Sequence, residues 1–432
     1  MKPTAKMIIY NLFPLLAGKF TDWEKHLLRA SEMGFNWVFV NPIQRPGKSG
    51  SLYSIADYYA FNPLLVDKES RKKPQQQVKD VAGSAEKLGL SLMVDLVINH
   101  CAADSELIKS HPKWFQWKDS DHVAHPSCDE NGERVVWKDL AKFDHDNSQD
   151  KEGLFRFLSD VVMYLIDLGF KGFRCDAAYQ VPRAVWERLI SEIRKRHPEV
   201  KFFAETLGCS PDQTIQTAGA GFDYIFNSSK WWDFEAQWLM KQYALTREIA
   251  PSIGFPESHD TVRLYDELDG NMAGMKQRYL FSALFSSGVM MPMGFEYGFR
   301  RKPHVVKTRP QDWETTDVDM THFIKAVNKL KAGHAIFQEE ALTEILYYNN
   351  PNLLLLWKAS TTTQEECLII VNKDISNKQH FHVESLQEFV QAGAPLVDLS
   401  PEYQMNYIPS PFSYDFRPGQ GIVLMTLRDL PK

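Results

Sequence analysis

Between residues 7 and 298 the chain alternates short apolar runs with longer amphipathic stretches, and it does so eight times. The runs are MIIYNLF from Met7, WVFVNP from Trp37, LSLMVDLVIN from Leu90, GFRCDAAY from Gly172, KFFAET from Lys201, FDYIFN from Phe222, SIGFPESHD from Ser252 and VMMPMGFEYG from Val289. Such runs read as buried strands, and helix-like segments such as DWEKHLLRASEMG, GLFRFLSDVVMYLIDLG and PRAVWERLISEIRKRH fall between most of them. In the first helix Leu27, Leu28 and Ala30 to Met33 are expected on one side, with Gly34 as C-cap, and Pro182 is expected just inside the start of the third. Eight strands with intervening helices close most economically into a TIM barrel. No dinucleotide fingerprint or phosphate-binding P-loop favours an open doubly wound sheet.

The expected class is therefore α/β, with a (β/α)8 barrel over residues 1–99 and 151–335. An inserted subdomain at 100–150, rich in Trp, His, Asp and Pro, follows the third strand and is far longer than an ordinary loop. At the C-terminal face of a barrel such an insertion builds a wall of the active site. From about residue 340 the texture changes to short alternating runs: ILYYN, LLLLWKA, CLIIVN, HFHV, PLVDL and GIVLMTL, separated by NNPN, NKDISNK and RPGQG. Residues 340–432 read as a C-terminal antiparallel β-sandwich domain.

Composition narrows the partners. With 44% hydrophobic and 24% charged residues the 432-residue chain can bury a large core, and a formal charge of -6 without a basic block argues against nucleic acid or an anionic membrane. A neutral or weakly charged ligand fits better. The N-terminal MKPTAKMIIYNLFPLLAGKF is interrupted by Asn11, Pro14 and Lys19 and lacks a small-residue cleavage site, so it reads as the first strand. No apolar run approaches the roughly 18 residues of a membrane span. The five cysteines, Cys101, Cys128, Cys175, Cys209 and Cys367, are odd in number and show no metal-type spacing, which fits a reducing cytoplasm. Cys175, between two residues of opposite orientation on a strand, reads as core.

Three carboxylates, Asp176, Glu205 and Asp260, stand where an apolar run stops. Charges rarely enter a core unpaired, and parallel strands would open these ends on one face. Paired carboxylates in one pocket support glycoside chemistry, one as nucleophile and one as general acid/base. Arg174, two residues before Asp176 on the same strand face, would keep that carboxylate ionised, as a nucleophile requires. Glu205 follows Phe202, Phe203 and Ala204, an apolar setting that raises its pKa for protonating a leaving oxygen. Asp260, beside His259, is a candidate for gripping sugar hydroxyls. A structural ion pair accounts for one such acid more easily than for three.

Four short motifs then occur in order: DLVINH from Asp95 to His100, GFRCDA from Gly172 to Ala177, FFAETLG around Glu205, and PESHD ending at His259 and Asp260. With these the chain resembles the α-amylase superfamily, glycoside hydrolase family 13. The resemblance implies Asp176 as nucleophile, Glu205 as acid/base and Asp260 as transition-state stabiliser, with His100 and His259 hydrogen-bonding the sugar at the scissile bond. It also implies Tyr53, in GSLYSIADYYAFNP, as a stacking platform for that sugar. Asn99 matches a common calcium ligand of the family. Tyr179 and Gln180, however, stand where family members carry a Lys-His pair contributing to an aglycone subsite and a calcium site, and no metal or other cofactor is expected. Ser54 stands where many exo-acting members have an acid.

The texture is nearest the α-1,4-glucan:maltose-1-phosphate maltosyltransferases, in HPKWFQW, FDHDN and GFEYGFRRKPHVVKTRPQDWE. Those enzymes carry a longer N-terminal domain and an Asn where this chain has Ala177. Arg300, Arg301, Lys302 and His304 are a basic cluster that either meets a phosphate near the mouth or is simply solvated. The reading is a retaining α-glycoside hydrolase or transglycosylase acting on α-1,4-linked glucan or malto-oligosaccharide through a covalent glycosyl-enzyme intermediate. A maltosyltransferase using maltose 1-phosphate is the alternative, and a non-catalytic carbohydrate-binding barrel is the second. Substrate-binding candidates are Tyr53, Asn99, His100, Arg174 and His259; neither nucleic acid nor membrane is an expected partner, and oligomeric state is not legible.

Overall fold

The computed structural model describes residues 6–130 and 133–428. The eight runs form eight parallel strands: β1 (Met7–Leu12), β2 (Trp37–Val40), β3 (Ser91–Leu96), β4 (Gly172–Cys175), β5 (Lys201–Ala204), β6 (Tyr224–Phe226), β7 (Ser252–Gly254) and β8 (Gly288–Pro292). Each pairs with its neighbours in the chain, and β8 pairs with β1 to close the barrel. Alternation along each strand divides two cores. Met7, Ile9, Trp37, Phe39, Met93, Phe203, Tyr224, Phe226, Ile253 and Met290 fill the barrel interior. Their alternates, among them Ile8, Tyr10, Val38, Val94, Phe173, Cys175 and Phe202, face the surrounding helices. Gly172 has no side chain because there is no room for one: a Cβ there would lie 2.8 Å from the Trp37 ring.

The helices follow the expected segments, with two corrections. In Glu24–Glu32, Leu27 and Ala30 are buried and Met33 caps the end, but Leu28 is 45% exposed. One residue is a turn of about 100° around a helix, which carries Leu28 past the buried stripe. Gly34 follows with φ +83°, the left-handed conformation that glycine reaches without strain. Pro182 is the N-cap of Arg183–Arg196, one position outside the helix, with φ -55° and ψ 138°. Lys151–Asp167 starts at Asp150, whose Oδ1 accepts the Gly153 N–H at 3.0 Å.

Two excursions rise above the C-terminal face. After β2, Gln44–Pro46 pairs antiparallel with Ile55–Phe61, and Tyr53 lies between them. After β3, His100–Ala102 pairs with Leu140–Lys142, and Ser127–Glu130 forms a hairpin with Glu133–Val136. The C-terminal part is a five-stranded antiparallel sheet with Leu353–Ala359 and Glu365–Asn372 near its centre, plus the pair Gln379–Val383 and Phe412–Phe416. Phe412–Phe416 is a strand the sequence reading did not include, and the strand expected at ILYYN runs instead from Leu342 to Leu346. One face of the large sheet packs on that pair through Leu355, Leu368, Ile370, Phe381, Phe412 and Phe416. The other face, with Leu354, Leu356, Ile369 and Val371, joins the core outside the barrel.

Candidate active site

Parallel register sets the site. Arg174 on β4 stands directly beside Asp95 on β3, and Glu205 leaves β5 one residue beyond the partner of Cys175. Because Phe173 and Cys175 face outward, Arg174 and Asp176 face the barrel mouth. The buried Arg174 guanidinium donates through Nη1 to Asp95 Oδ1 at 2.8 Å and to Asp176 Oδ1 at 2.7 Å, and its Nη2 lies 3.1 Å from Glu205 Oε2. Glu205 Oε2 also accepts the Ala177 N–H at 2.7 Å. Ala177 adopts φ +41°, ψ 47°, a left-handed turn straight after Asp176 that accompanies the approach of its amide to Glu205.

One cation thus serves three acids, and the imbalance shows in their pKa values. Burial pushes Asp176 up to about 6; Arg174 opposes the rise, while Asp95 and Asp260 add to it. Burial likewise raises Glu205 to about 7, with Arg174 again opposing and Asp176 and Asp260 adding. Arg174 works to keep Asp176 ionised, but one guanidinium divided among several buried carboxylates does not offset all of their desolvation. Asp95, wholly buried, is raised by desolvation too.

A second branch runs from Asp95 to the rim. The Tyr53 hydroxyl donates to Asp95 Oδ2 at 2.7 Å and lies 2.7 Å from His259 Nε2, which is 2.9 Å from Asp260 Oδ2. Asn41 donates to the Tyr53 oxygen at 3.0 Å and is itself held by Asn11 at 3.0 Å. The Tyr53 and His259 rings are nearly parallel, 7° apart. Asp260 is the exposed end of this chain, its side chain 57% accessible. Desolvation works to raise it, but the charge of His259 and its hydrogen bond, together with Arg174 and Lys302, hold it down at about 2. Lys302 Nζ donates to the Asp260 carbonyl at 2.5 Å.

The structure thus brings together Asp176, Glu205, Asp260, Arg174, His259 and Tyr53, and sets Asn99 and His100 one layer away. Asn99 Nδ2 donates to Gln180 Oε1 at 3.2 Å. His100 Nε2 lies 3.1 Å from the Tyr53 carbonyl, and burial lowers the ring's pKa to about 4, so it is neutral near pH 7. Asn99 Oδ1 is buried without a partner, yet a calcium ion takes 6–8 oxygen ligands. Among the described residues no three His, Cys, Asp or Glu side chains gather to hold a metal.

The basic cluster after β8 is largely spoken for. Arg301 pairs with Asp312 at 2.7 Å, Arg300 stacks on Tyr265 and approaches Asp266 at 3.5 Å, and His304 Nδ1 accepts the Val306 N–H at 3.1 Å. Sequence reasoning missed Asp95, Asn41, Asn11 and the Ala177 amide. Asp95 opens the DLVINH motif and was within reach; the others depend on register and a left-handed turn.

A family model described as the glucanotransferase domain of glycogen debranching enzyme matches residues 3–125. The α-1,4-glucan:maltose-1-phosphate maltosyltransferase of Burkholderia pseudomallei is 23% identical over 397 residues, 87% of this chain and 34% of that protein. That of Methylacidiphilum infernorum is 23% identical over 403 residues, 85% of this chain and 59% of that protein. The chain thus spans between 34% and 59% of the length of these two curated relatives. An α-amylase from Geobacillus thermoleovorans, solved with acarbose, superposes with a TM-score of 0.78 at 15% identity, covering 98% of each chain. By sequence the chain is similar to these maltosyltransferases, and its fold is that of an α-amylase. A maltogenic α-amylase from Thermotoga neapolitana aligns with a TM-score of 0.77 at 19% identity over 98% of this chain and 99% of that one. In this α-amylase fold the four motifs leave β3, β4, β5 and β7 at one end of the barrel.

Proposed function

We propose that the chain is a retaining α-glycosidase or transglycosidase acting on α-1,4-linked glucan or malto-oligosaccharide. One observation carries the reading: a single guanidinium, Arg174, reaches two carboxyls on adjacent strand ends, one poised near pH 6 and the other near pH 7. Asp176, ionised above about pH 6, attacks the anomeric carbon as Glu205, protonated below about pH 7, gives its proton to the departing oxygen. Glu205 then takes a proton from water or an acceptor hydroxyl, which displaces Asp176. Two inversions preserve the α configuration. Asp260 and His259 hold hydroxyls of the sugar being transferred, and the Tyr53 ring lies against its apolar face.

The likeness to maltose-1-phosphate maltosyltransferases favours a second reading, in which maltose 1-phosphate is the donor and phosphate leaves in the first step. Product analysis on malto-oligosaccharides, with and without maltose 1-phosphate, separates the two. Reducing-sugar release alone marks a hydrolase, chain-length redistribution a transglycosidase, and phosphate release the maltosyltransferase. A protein inert on every α-glucoside, in which Asp176→Asn alters nothing, would be a carbohydrate-binding barrel instead.

No step in this proposal runs through a metal, so treatment with a chelator is expected to leave the rate unchanged. A cytoplasmic setting belongs to the same proposal. It is supported by the free thiols Cys101, Cys175, Cys209 and Cys367, and among the described residues no helix is long and apolar enough to cross a membrane.

A further inference from the structure

Beside the carboxylates, the insertion after β3 overhangs a cleft of about 870 Å³. Among the described residues four basic side chains line it, Lys118, His125, Arg134 and Lys142, and no Asp or Glu does. In a chain with 55 acids against 49 Lys and Arg, that local excess runs against the average. Among the described residues none of Lys118, Arg134 and Lys142 is held in an ion pair; Arg134 Nε donates only to Ser127 Oγ at 3.2 Å. The arginines after β8 are compensated by Asp312 and Asp266, so they offer an anion less. Like charges on the wall of a concave, partly desolvated surface add their potentials and concentrate an anion there.

The chain positions of the lining residues point to where that anion sits. The side next to the chemistry is made by Tyr179 and Gln180, three and four residues after Asp176, and by Gly208, three after Glu205. All are uncharged, and the four basic side chains all belong to the insertion. A phosphate on the anomeric carbon would lie in the neutral strip, close to Glu205 and Asp176. A phosphate on a distant carbon of the aglycone sugar would reach the basic side chains of the insertion, with Trp117 among the lining residues to meet the ring.

We infer that the aglycone side of this site takes a phosphorylated sugar, its phosphate monoester held by Lys118, His125, Arg134 and Lys142 away from the scissile bond. This rests on the glycosidase reading above and names the class of its leaving group or acceptor. The phosphate is a handle and is not transformed. When the glycosidic C–O bond breaks, Glu205 protonates the oxygen and the sugar phosphate departs as an alcohol; in transfer, the same hydroxyl returns its proton to Glu205 and attacks the glycosyl carbon.

The probe is glucose 6-phosphate, with glucose, α-glucose 1-phosphate and inorganic phosphate as comparisons. Affinities are measured by calorimetry on the Asp176→Asn full chain, so binding is read without turnover. Glucose 6-phosphate is expected to bind about tenfold or more tightly than the other three, weakening steeply with salt while glucose does not. The combined change Lys118→Ala, Arg134→Ala, Lys142→Ala is expected to bring the ratio to glucose near one, and Arg134→Lys with Lys142→Arg to keep it. Equal binding of glucose and glucose 6-phosphate, a salt-independent preference, or a preference that survives removal of the cations overturns the inference. So does equally tight binding of glucose 1-phosphate or inorganic phosphate, which would put the anion at the scissile bond. Turnover of maltotriose and an aryl α-glucoside by the unmodified chain is followed in parallel. Failure there with phosphate binding intact faults the catalytic reading and leaves the cleft assignment standing.

Discussion

Asp176 and Glu205 compete for one guanidinium, and that competition fixes how the rate should depend on pH. Their titrations are coupled, so the two values belong to the pair. The rate requires Asp176 without its proton and Glu205 with one. kcat/KM is therefore expected to rise as pH passes about 6 and to fall as it passes about 7, a narrow bell read from a pH profile on a malto-oligosaccharide. The same shifts act on stability. Glu205 has a folded pKa above its ordinary 4.5, so the folded state binds that proton more tightly than the unfolded chain. Ionising it destabilises the fold progressively from about pH 4.5 and fully above about pH 7. Glu205→Gln, while losing activity, should be roughly 1–3 kcal/mol more stable than the parent at pH 8 in urea unfolding, with the gap closing toward pH 4. Arg174→Lys keeps the charge but not the planar fork that reaches Asp95, Asp176 and Glu205 together, and kcat/KM should fall about 100-fold or more.

At the scale of strands and helices, the barrel interior leaves little slack. Gly172→Ala puts a Cβ 2.8 Å from the Trp37 ring and 3.2 Å from Phe203, and is expected to cost about 1–3 kcal/mol, seen as a lower Tm. The eight barrel strands were legible because each is a concentrated apolar run bounded by polar or turn-forming residues. Arg174 and Asp176 were legible as a pair because strand alternation puts residues two apart on one face. Phe412–Phe416 was not, since FSYDF places polar residues between its aromatics and gains its apolar partner, Gln379–Val383, only on folding. Leu28 and Pro182 were each misplaced by one residue, the scale at which a helix boundary or face is decided by packing rather than pattern. The Tyr53 to Asp95 to Arg174 chain was illegible for another reason: its members are far apart in sequence, and only the β3–β4 register aligns Asp95 with Arg174.

For the whole molecule, the change of texture near residue 340 marks a new sheet that has a core of its own on one face and joins the barrel's outer core through the other. Lys331 Nζ is buried and donates to the carbonyls of Ala283, Ser286 and Phe337 at 2.7, 2.8 and 2.6 Å. Lys358 donates to the Phe285 carbonyl at 2.7 Å, and Glu340 Oε1 accepts the Ser252 N–H at 2.7 Å and the Ser287 hydroxyl at 2.8 Å. Lys358 and Glu340 thus tie the sheet to the barrel through polar contacts, while Lys331 fastens the last helix of the barrel to its neighbour, with apolar packing around both. Lys358→Met takes the donor from the Phe285 carbonyl and is expected to cost about 1–3 kcal/mol, with barrel and sheet still unfolding in one transition by calorimetry. Two separated transitions would mean that these contacts do not couple them.

The most direct test of the account is to trap the covalent intermediate. Glu205→Gln protein given α-glucosyl fluoride, whose leaving group needs no acid, should accumulate one glucosyl adduct per chain, and peptide mass spectrometry should place it on Asp176. No adduct despite consumption of the fluoride, or an adduct on another residue, would contradict Asp176 as the nucleophile and with it the retaining mechanism.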